Sequence, residues 1–426
     1  MSPLEYTVKR LLEYTVKRLF AFLDEINRLS TSEFPYPQSK EALQILEQMF
    51  QDDLSHLNQL DPSSDIEVVK QKCKLILERM ADYLPLLGFI LRSTNVRNAF
   101  EVFGPILRLA GAILEPHLGV EKRRTRVILS SEWDYSPYVY REIPALPGFA
   151  LIGLPAPESS NPFLIPLYGH ELGHLVWIKN KIGTEMRPQL IKNIVGIIRT
   201  RWSDYQKVFP HYEEIKPEEI ENNLFAIDDW TPASQWALRQ AEESFCDFVG
   251  LCVFGPSFLH AFAYLVSPSL SRVRSVNYPN TKVRVTNLLR AAEYFKINKP
   301  SGYKSLFEDS NYPTMTEADR FRLSVADAAL EAVVVNLIDR VKIIVDSSSL
   351  EKPSKDEEDR IYERLRKVVP GENCRTLPDI LNAAWRAYED PGLWEHIPQI
   401  REKKDSVLKN VVLKNIEVFE IEQILR

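Results

Sequence analysis

A chain of 426 residues, 45% of them hydrophobic, has enough apolar material for a large core and for two or three domains. Its formal net charge of -6 argues against nucleic acid as a partner, which calls for a basic face. The four cysteines, Cys73, Cys246, Cys252 and Cys374, contain no CxxC pair and are too few for a disulfide scaffold, so a reducing, cytoplasmic setting is expected.

The N-terminus mixes apolar and charged residues at helical spacing and lacks the apolar stretch and small-residue cleavage site of a signal peptide. No apolar run reaches the ~18 residues of a membrane-spanning helix, so no membrane is expected as a partner. Leu4 to Arg10 recurs as Leu12 to Arg18, a local duplication that lengthens one amphipathic helix and carries no chemistry. Two prolines between Thr31 and Ser39 break that helix. Helical patterns continue over 40–60, 66–93 and 96–114, so residues 1–120 read as an N-terminal helical region.

The pattern then changes. Arg126 to Leu129 and Phe149 to Leu154 have the look of short strands, the second as a sheet edge able to hold an extended substrate by main-chain hydrogen bonds. Prolines at 137, 144, 147, 155 and 157 exclude long helices around them. The basic cluster Lys122-Arg123-Arg124 with Arg126 reads as a solvated approach to the first strand. A helix starts near Asn161-Pro162, a cap followed by a first-turn proline, with Pro166 as an alternative start, and runs to about Lys181. Further helices are expected at 185–203, 232–254, 256–266, 281–296, 316–346, 355–368, 376–388 and 398–412. The stretches 204–230 and 297–315 lack periodicity and read as linkers. The fold class is mainly α with a small β-sheet (α+β): an N-terminal helical region (1–120), a central core (121–300) and a C-terminal helical region (301–426).

The central helix carries His170-Glu171-Leu172-Gly173-His174. Two histidines four apart lie on one helical face, one turn apart, and can reach one metal ion. Glu171 projects beside that ion and can take a proton from a water bound to it. Gly169 and Gly173 each cost a helix about 1 kcal/mol relative to alanine, which points to close approach by another backbone.

Catalytic zinc takes three protein ligands and keeps one position open. No HExxHxxGxxH extension exists, since Trp177 and Asn180 occupy those places, and His211 sits in a polar loop-like stretch. The stronger offer is Glu243, four residues before Asp247, beside an apolar stripe of Leu238, Ala241, Phe245, Phe248 and Cys252. Glu243 would ligate zinc, and Asp247 would accept the ring N–H of a zinc-bound histidine and fix its tautomer. Glu242 competes for the ligand role. Cys246 is a soft alternative, although a free cysteine beside a core stripe ordinarily acts as a small hydrophobe. Gly250, one turn on, offers a place for the motif helix to pack closely.

His170-Glu171-Leu172-Gly173-His174 followed by Glu243-Ser244-Phe245-Cys246-Asp247 resembles the HExxH…ExxxD signature of the gluzincin metallopeptidases, with a gap between the elements longer than in thermolysin. The resemblance covers roughly 148–290. It implies a zincin-like catalytic core flanked by helical regions, Zn2+ on His170, His174 and Glu243, and Glu171 as general base. Tyr278 to Val285 resembles a His-Pro…Arg-Ile element of membrane-embedded relatives, with tyrosine in place of histidine. It makes Tyr278 and Arg284 candidates for stabilising an oxyanion. His260, in the apolar segment Phe258 to Leu265, reads as a core histidine.

The expected function is a zinc metallopeptidase acting on peptides or a protein, with a protein partner engaged through the flanking helices. The alternative is a helical interaction or regulatory protein with a structural or degenerate metal site.

Overall fold

The computed structural model describes residues 3–60, 63–94, 100–118, 125–134, 137–140, 143–210, 215–269 and 271–425. They are mainly helical with one three-stranded sheet. Contacts divide the chain into two compact units, one of residues 1–107 and 124–160, the other of 108–123 and 161–426. This differs from the three-part division read from the sequence: residues 301–426 group with the motif helix, and the sheet groups with the N-terminal helices.

The first unit holds α1 (Pro3–Ser30), α2 (Gln38–Asn58), α3 (Ile66–Leu91), the start of α4 (Phe100–Leu114), and strands β1 (Arg126–Glu132), β2 (Tyr138–Tyr140) and β3 (Phe149–Pro155). The duplicated heptapeptide falls wholly within α1, whose buried Leu19, Phe22, Leu23, Ile26 and Leu29 follow the helical period. Asp65 caps α3 by accepting the N–H of Glu67 at 2.8 Å. Ile128 and Leu151 join the apolar side chains of α1, α2 and α3 in one core.

The strand order is β1-β3-β2. β3 runs parallel to β1, with Arg126 opposite Phe149, and antiparallel to β2, with Tyr138 opposite Gly153. The edge reading of Phe149 to Leu154 therefore does not hold: β3 is paired on both sides. All seven of its residues are buried, and its near-continuous apolar run is the pattern of a covered central strand. Arg126 pairs with Glu41 at 2.8 Å. Lys122, Arg123 and Arg124 lie outside the described residues.

The second unit contains α5 (Tyr168–Lys179), α6 (Ile182–Thr200), α7 (Trp202–Val208), α8 (Leu224–Phe254), α9 (Pro256–Val266) and α10 (Thr281–Tyr294). After these come α11 (Glu317–Glu331), α12 (Val334–Ser347), α13 (Lys355–Arg366), α14 (Leu377–Glu389), α15 (Pro398–Arg401) and α16 (Lys404–Leu425). α8 has 31 residues, about 46 Å of helix, and α5, α6, α10, α11 and α12 all pack on it. Every residue from Ala241 to Gly250 is buried.

Three departures from the sequence reading have physical causes. α8 starts eight residues before Pro232, because Asn223 caps it by accepting the Ala226 N–H at 3.1 Å and the helix runs through the proline. The single helix expected at 316–346 is two, broken at Ala332-Val333 with neither glycine nor proline as a signal. Part of 204–230 is ordered as α7 and a 3-10 turn at Pro217–Glu221, so it is not an open linker. Among the described residues, no helix is long and apolar enough to cross a membrane.

Candidate metal centre

Asn161 opens the motif segment by accepting the Phe163 N–H at 3.2 Å, which caps a 3-10 turn at Pro162–Leu167. The α-helix proper begins at Tyr168, so His170 and Glu171 lie in its first turn and His174 one turn later. Two glycines let this helix cross α8 almost in backbone contact. A Cβ added to Gly169 would stand 2.7 Å from the Gly250 Cα, and one added to Gly173 would stand 2.6 Å from the Cys246 Cα. The helix cost of each glycine is offset by this approach, which places the two histidines against the acidic face of α8.

The geometry there is reciprocal. His170 Nδ1 lies 2.9 Å from Asp247 Oδ1, and His174 Nδ1 lies 3.0 Å from Glu242 Oε1. Each imidazole thus has its Nδ1 held by a carboxylate, and the two Nε2 atoms turn to Glu243. His170 Nε2 is 3.3 Å from Glu243 Oε2, and His174 Nε2 is 3.8 Å from Glu243 Oε1. The two rings stand nearly perpendicular, 5.1 Å apart. Behind the carboxylates stand two arginines. Arg284 grips Asp247 through Nε and Nη2 at 2.6 and 2.8 Å, and Arg239 reaches Glu242 at 3.1 Å.

Charge sets the chemistry. Glu171, Glu242, Glu243 and Asp247 are each at most 5% exposed. Buried carboxylates are expensive unless paired. Arg284 and the half-exposed Arg239 supply two positive charges, so with all four carboxylates ionised and both imidazoles neutral, the state in which they can ligate a metal, the cluster carries two excess negative charges, one of which a proton on His170 offsets when no metal is bound. A divalent cation balances that excess.

The protonation equilibria carry the same imprint. Burial opposes charge on His170, but the Asp247 and Glu243 carboxylates outweigh it and lift its pKa to about 10. Burial pushes Glu171 above the ordinary glutamate value, partly offset by the two histidines. Glu243 is equally desolvated, yet its hydrogen bond and charge interaction with His170 hold it below the ordinary value. Asp247, also desolvated, is pulled down to about 2 by Arg284 and His170.

The remaining candidates fall in different places. Arg284, suggested by the sequence as an oxyanion donor, has its Nε and Nη2 committed to Asp247, and its guanidinium stacks on Phe262 and Tyr278. Tyr278 stays at the site, 40% exposed, with its backbone carbonyl accepting from Arg274 and its ring 5.2 Å from the Arg284 guanidinium. Burial and the charges of Glu243 and Glu171 keep its hydroxyl protonated well above the ordinary tyrosine range. His260 is stacked on Trp385 and lies 3.0 Å from Glu389, with no part in the cluster. His211 lies outside the described residues.

Compared with protein-family models, curated proteins and solved structures, the chain matches none of them. The site's own geometry therefore carries the functional argument. Sequence reasoning named Glu242 and Cys246 only as rival ligands. Glu242 holds His174 Nδ1 as Asp247 holds His170 Nδ1, for which the signal was an acidic residue immediately before the ligand candidate. Cys246, far from being only core filling, presents its sulfur within 4.8 Å of a ring nitrogen on each histidine. A metal at this site thus has Glu243 and Cys246 as rival third donors. Glu243 is favoured because it faces both Nε2 atoms, while burial and the surrounding carboxylates hold the Cys246 thiol in its protonated form.

Proposed function

We propose that this chain is a zinc-dependent metallopeptidase of the gluzincin type, with a zincin-like core centred on the crossing of α5 and α8. The observation that carries the reading is the convergence of two Nε2 atoms on one carboxylate, at 3.3 and 3.8 Å, with both Nδ1 atoms already engaged. Ligand atoms around a tetrahedral zinc at about 2.0–2.2 Å stand roughly 3.3–3.6 Å from one another, close to the separations of each Nε2 from its nearer Glu243 oxygen. Imidazole and carboxylate donors suit zinc better than the hard cations that prefer oxygen alone.

Zinc, when bound, supplies a Lewis acid that lowers the pKa of water towards ~7 and polarises a carbonyl. The chain's own residues do the rest. Glu171, buried beside His170, takes the proton of the attacking water and delivers it to the leaving amine. Its raised pKa brings it nearer the range in which a carboxylate can do both. Asp247 and Glu242 fix the two imidazoles with Nε2 forward. The Tyr278 hydroxyl, kept protonated, is the candidate donor for the developing oxyanion. Arg284 orients Asp247 and lies against the Tyr278 ring. The substrate class is peptide or protein, and the flanking helices are the place for a protein partner. The four free cysteines fit a reducing, cytoplasmic setting.

Metal content and peptide hydrolysis test the reading. Near-stoichiometric zinc that disappears in Glu243→Ala, with hydrolysis abolished in Glu171→Gln, is the expected result. Full zinc occupancy in Glu243→Ala removes Glu243 from the ligand set, and unchanged hydrolysis in Glu171→Gln ends the mechanism. A second reading, a structural site, is favoured by Cys246 alone, because a fourth protein donor would leave no position for water. It is distinguished by stoichiometric zinc in a chain whose hydrolysis is absent at the outset.

A further inference from the structure

We infer that the cleft at the C-terminal end of α8 binds a small phosphate monoester. It offers about 460 Å³, a volume ordinary for small-molecule sites, and none of the metal cluster's residues lines it. Six helices meet there: the Gly255-Pro256 junction of α8 and α9, the last turn of α10, charged side chains of α12 and α13, and Asn382 of α14.

The chain as a whole is acidic, with a formal net charge of -6, but this cleft is basic. Lys296, Lys342, Lys352 and Lys355 line it against Asp346 and Glu358, which leaves two positive charges in excess. Asp346 is shared: Lys342 pairs with one of its oxygens, and Lys352 reaches the other at 2.6 Å. Those two contacts hold its carboxyl below the ordinary range, so it is ionised and neutralises one of the two lysines. Lys355 pairs with Glu358 at 2.6 Å, and behind them Arg386 and Asp359 cancel one another. Lys296 makes no ion pair among the described residues.

Lys296 also sits in an unusual conformation. Its φ of 60° is the left-handed position that ends α10, where the Ile297 N–H returns to the Ala292 carbonyl at 2.8 Å. Glycine is the ordinary occupant of such a position, and a lysine is strained there. What the lysine adds is an ammonium group at the cleft. Asn382 adds a buried donor. It is 6% exposed, and its Oδ1 accepts the Ser257 N–H at 2.9 Å, which fixes the orientation of the amide. Its Nδ2 has no acceptor among the described residues. A buried donor calls for an acceptor, and an anionic oxygen supplies one. Two excess positive charges match a phosphate monoester, which carries about -1.5 to -2 at neutral pH, better than a single carboxylate. Tyr294, Pro256 and Pro353 give the organic part of the ligand apolar surface beside the lysines.

Calorimetric titration of the full chain with phenyl phosphate, inorganic phosphate and phenylacetate tests the assignment. Phenyl phosphate should bind saturably with a Kd below about 1 mM, and more tightly than either of the other two. Lys296→Gly separates ligand from fold. It should raise the melting temperature, because glycine relieves the left-handed strain, and yet weaken phenyl phosphate about tenfold. Asn382→Asp keeps the acceptor for Ser257 but replaces the Nδ2 donor with a negative charge, and should abolish binding. Should Asn382→Asp fail to fold, Lys296→Gly combined with Lys352→Gln, both exposed positions, must lose most of the affinity. Absence of saturable binding by the wild type overturns the proposal. So does an affinity that the lysine variants leave unchanged, since the phosphate then binds elsewhere, the metal centre included. Phenylacetate or inorganic phosphate binding as tightly as the ester overturns the choice of ligand.

Discussion

Gly173 and Cys246 meet so closely that a Cβ on the glycine would lie 2.6 Å from the Cys246 Cα. A backbone atom cannot step aside as a flexible side chain can. Gly173→Ala should gain about 1 kcal/mol of helix propensity and lose about 1–3 kcal/mol to overpacking. It should also push α8 away from the histidines. The expected outcome is a lower melting temperature together with loss of bound metal. Gly196 supplies the control: nothing lies within 4 Å of its added Cβ, so Gly196→Ala in α6 should stabilise by up to about 1 kcal/mol. A Gly173→Ala protein as stable as Gly196→Ala, with its metal intact, would mean that α5 and α8 do not cross this tightly.

Arg284 separates a positioning role from a catalytic one. With its guanidinium on Asp247, Arg284→Met leaves a buried carboxylate without its strongest partner. Removing one member of a buried pair costs about 3–5 kcal/mol, while replacing both with apolar groups is often close to neutral. Denaturant unfolding should therefore show a large loss in Arg284→Met and substantial recovery in Arg284→Met combined with Asp247→Leu, with metal binding weakened in both. Unchanged stability with impaired turnover in Arg284→Met would restore the role of oxyanion donor suggested by the sequence.

What could be read in advance divides along physical lines. The motif helix, its capping Asn161, the nearby glycine crossing and the apolar stripe of α8 are all local periodicities or backbone requirements, and these survive in a linear string. α9 matches its expected span of 256–266 because Pro256 marks its first turn. The split at Ala332-Val333, the centrality of β3 and the grouping of 301–426 with the motif helix depend on contacts between distant segments and leave no local mark. The same holds inside the site. An acidic pair four apart pointed to Glu243 and Asp247, but which carboxylate serves which histidine follows from the antiparallel crossing of two helices. Arg284 shows the limit most clearly: its spacing from Asp247 says nothing of the ion pair the two form.

His260 gives a pH dependence independent of the metal. Burial lowers its pKa to about 4 from an ordinary 6.5. The Glu389 carboxylate at 3.0 Å would favour the charged ring, but Glu389 is half exposed and solvent-screened, so burial dominates. A depressed histidine pKa means that the unfolded chain takes up the proton first. The stabilisation is therefore complete above about pH 6.5 and is lost as the pH falls towards 4, by up to about 3 kcal/mol. His260→Phe, which preserves the stack on Trp385, should show a correspondingly shallower loss of stability between pH 7 and 4. Parallel stability curves for the two proteins would show that His260 is not held neutral by the fold.

Glu242 offers the sharpest test of how the second histidine is held. Its Oε1 lies 3.0 Å from His174 Nδ1, and its Oε2 accepts from Arg239 at 3.1 Å. Glu242→Gln keeps the shape and a hydrogen-bond acceptor but removes the negative charge that makes the imidazole a better donor to a metal. Such outer partners typically govern affinity by about 10–100-fold, and a loss of that size is expected in zinc titrations against a competing chelator. Arg239→Gln should cost less, because Arg239 is half exposed and its charge is already screened by water. The variant also discriminates between the two adjacent glutamates. A partner of His174 weakens binding when neutralised, whereas a ligand abolishes it. If Glu242→Gln removes the metal entirely while Glu243→Ala retains it, the ligand is Glu242, and the roles assigned to the two carboxylates exchange.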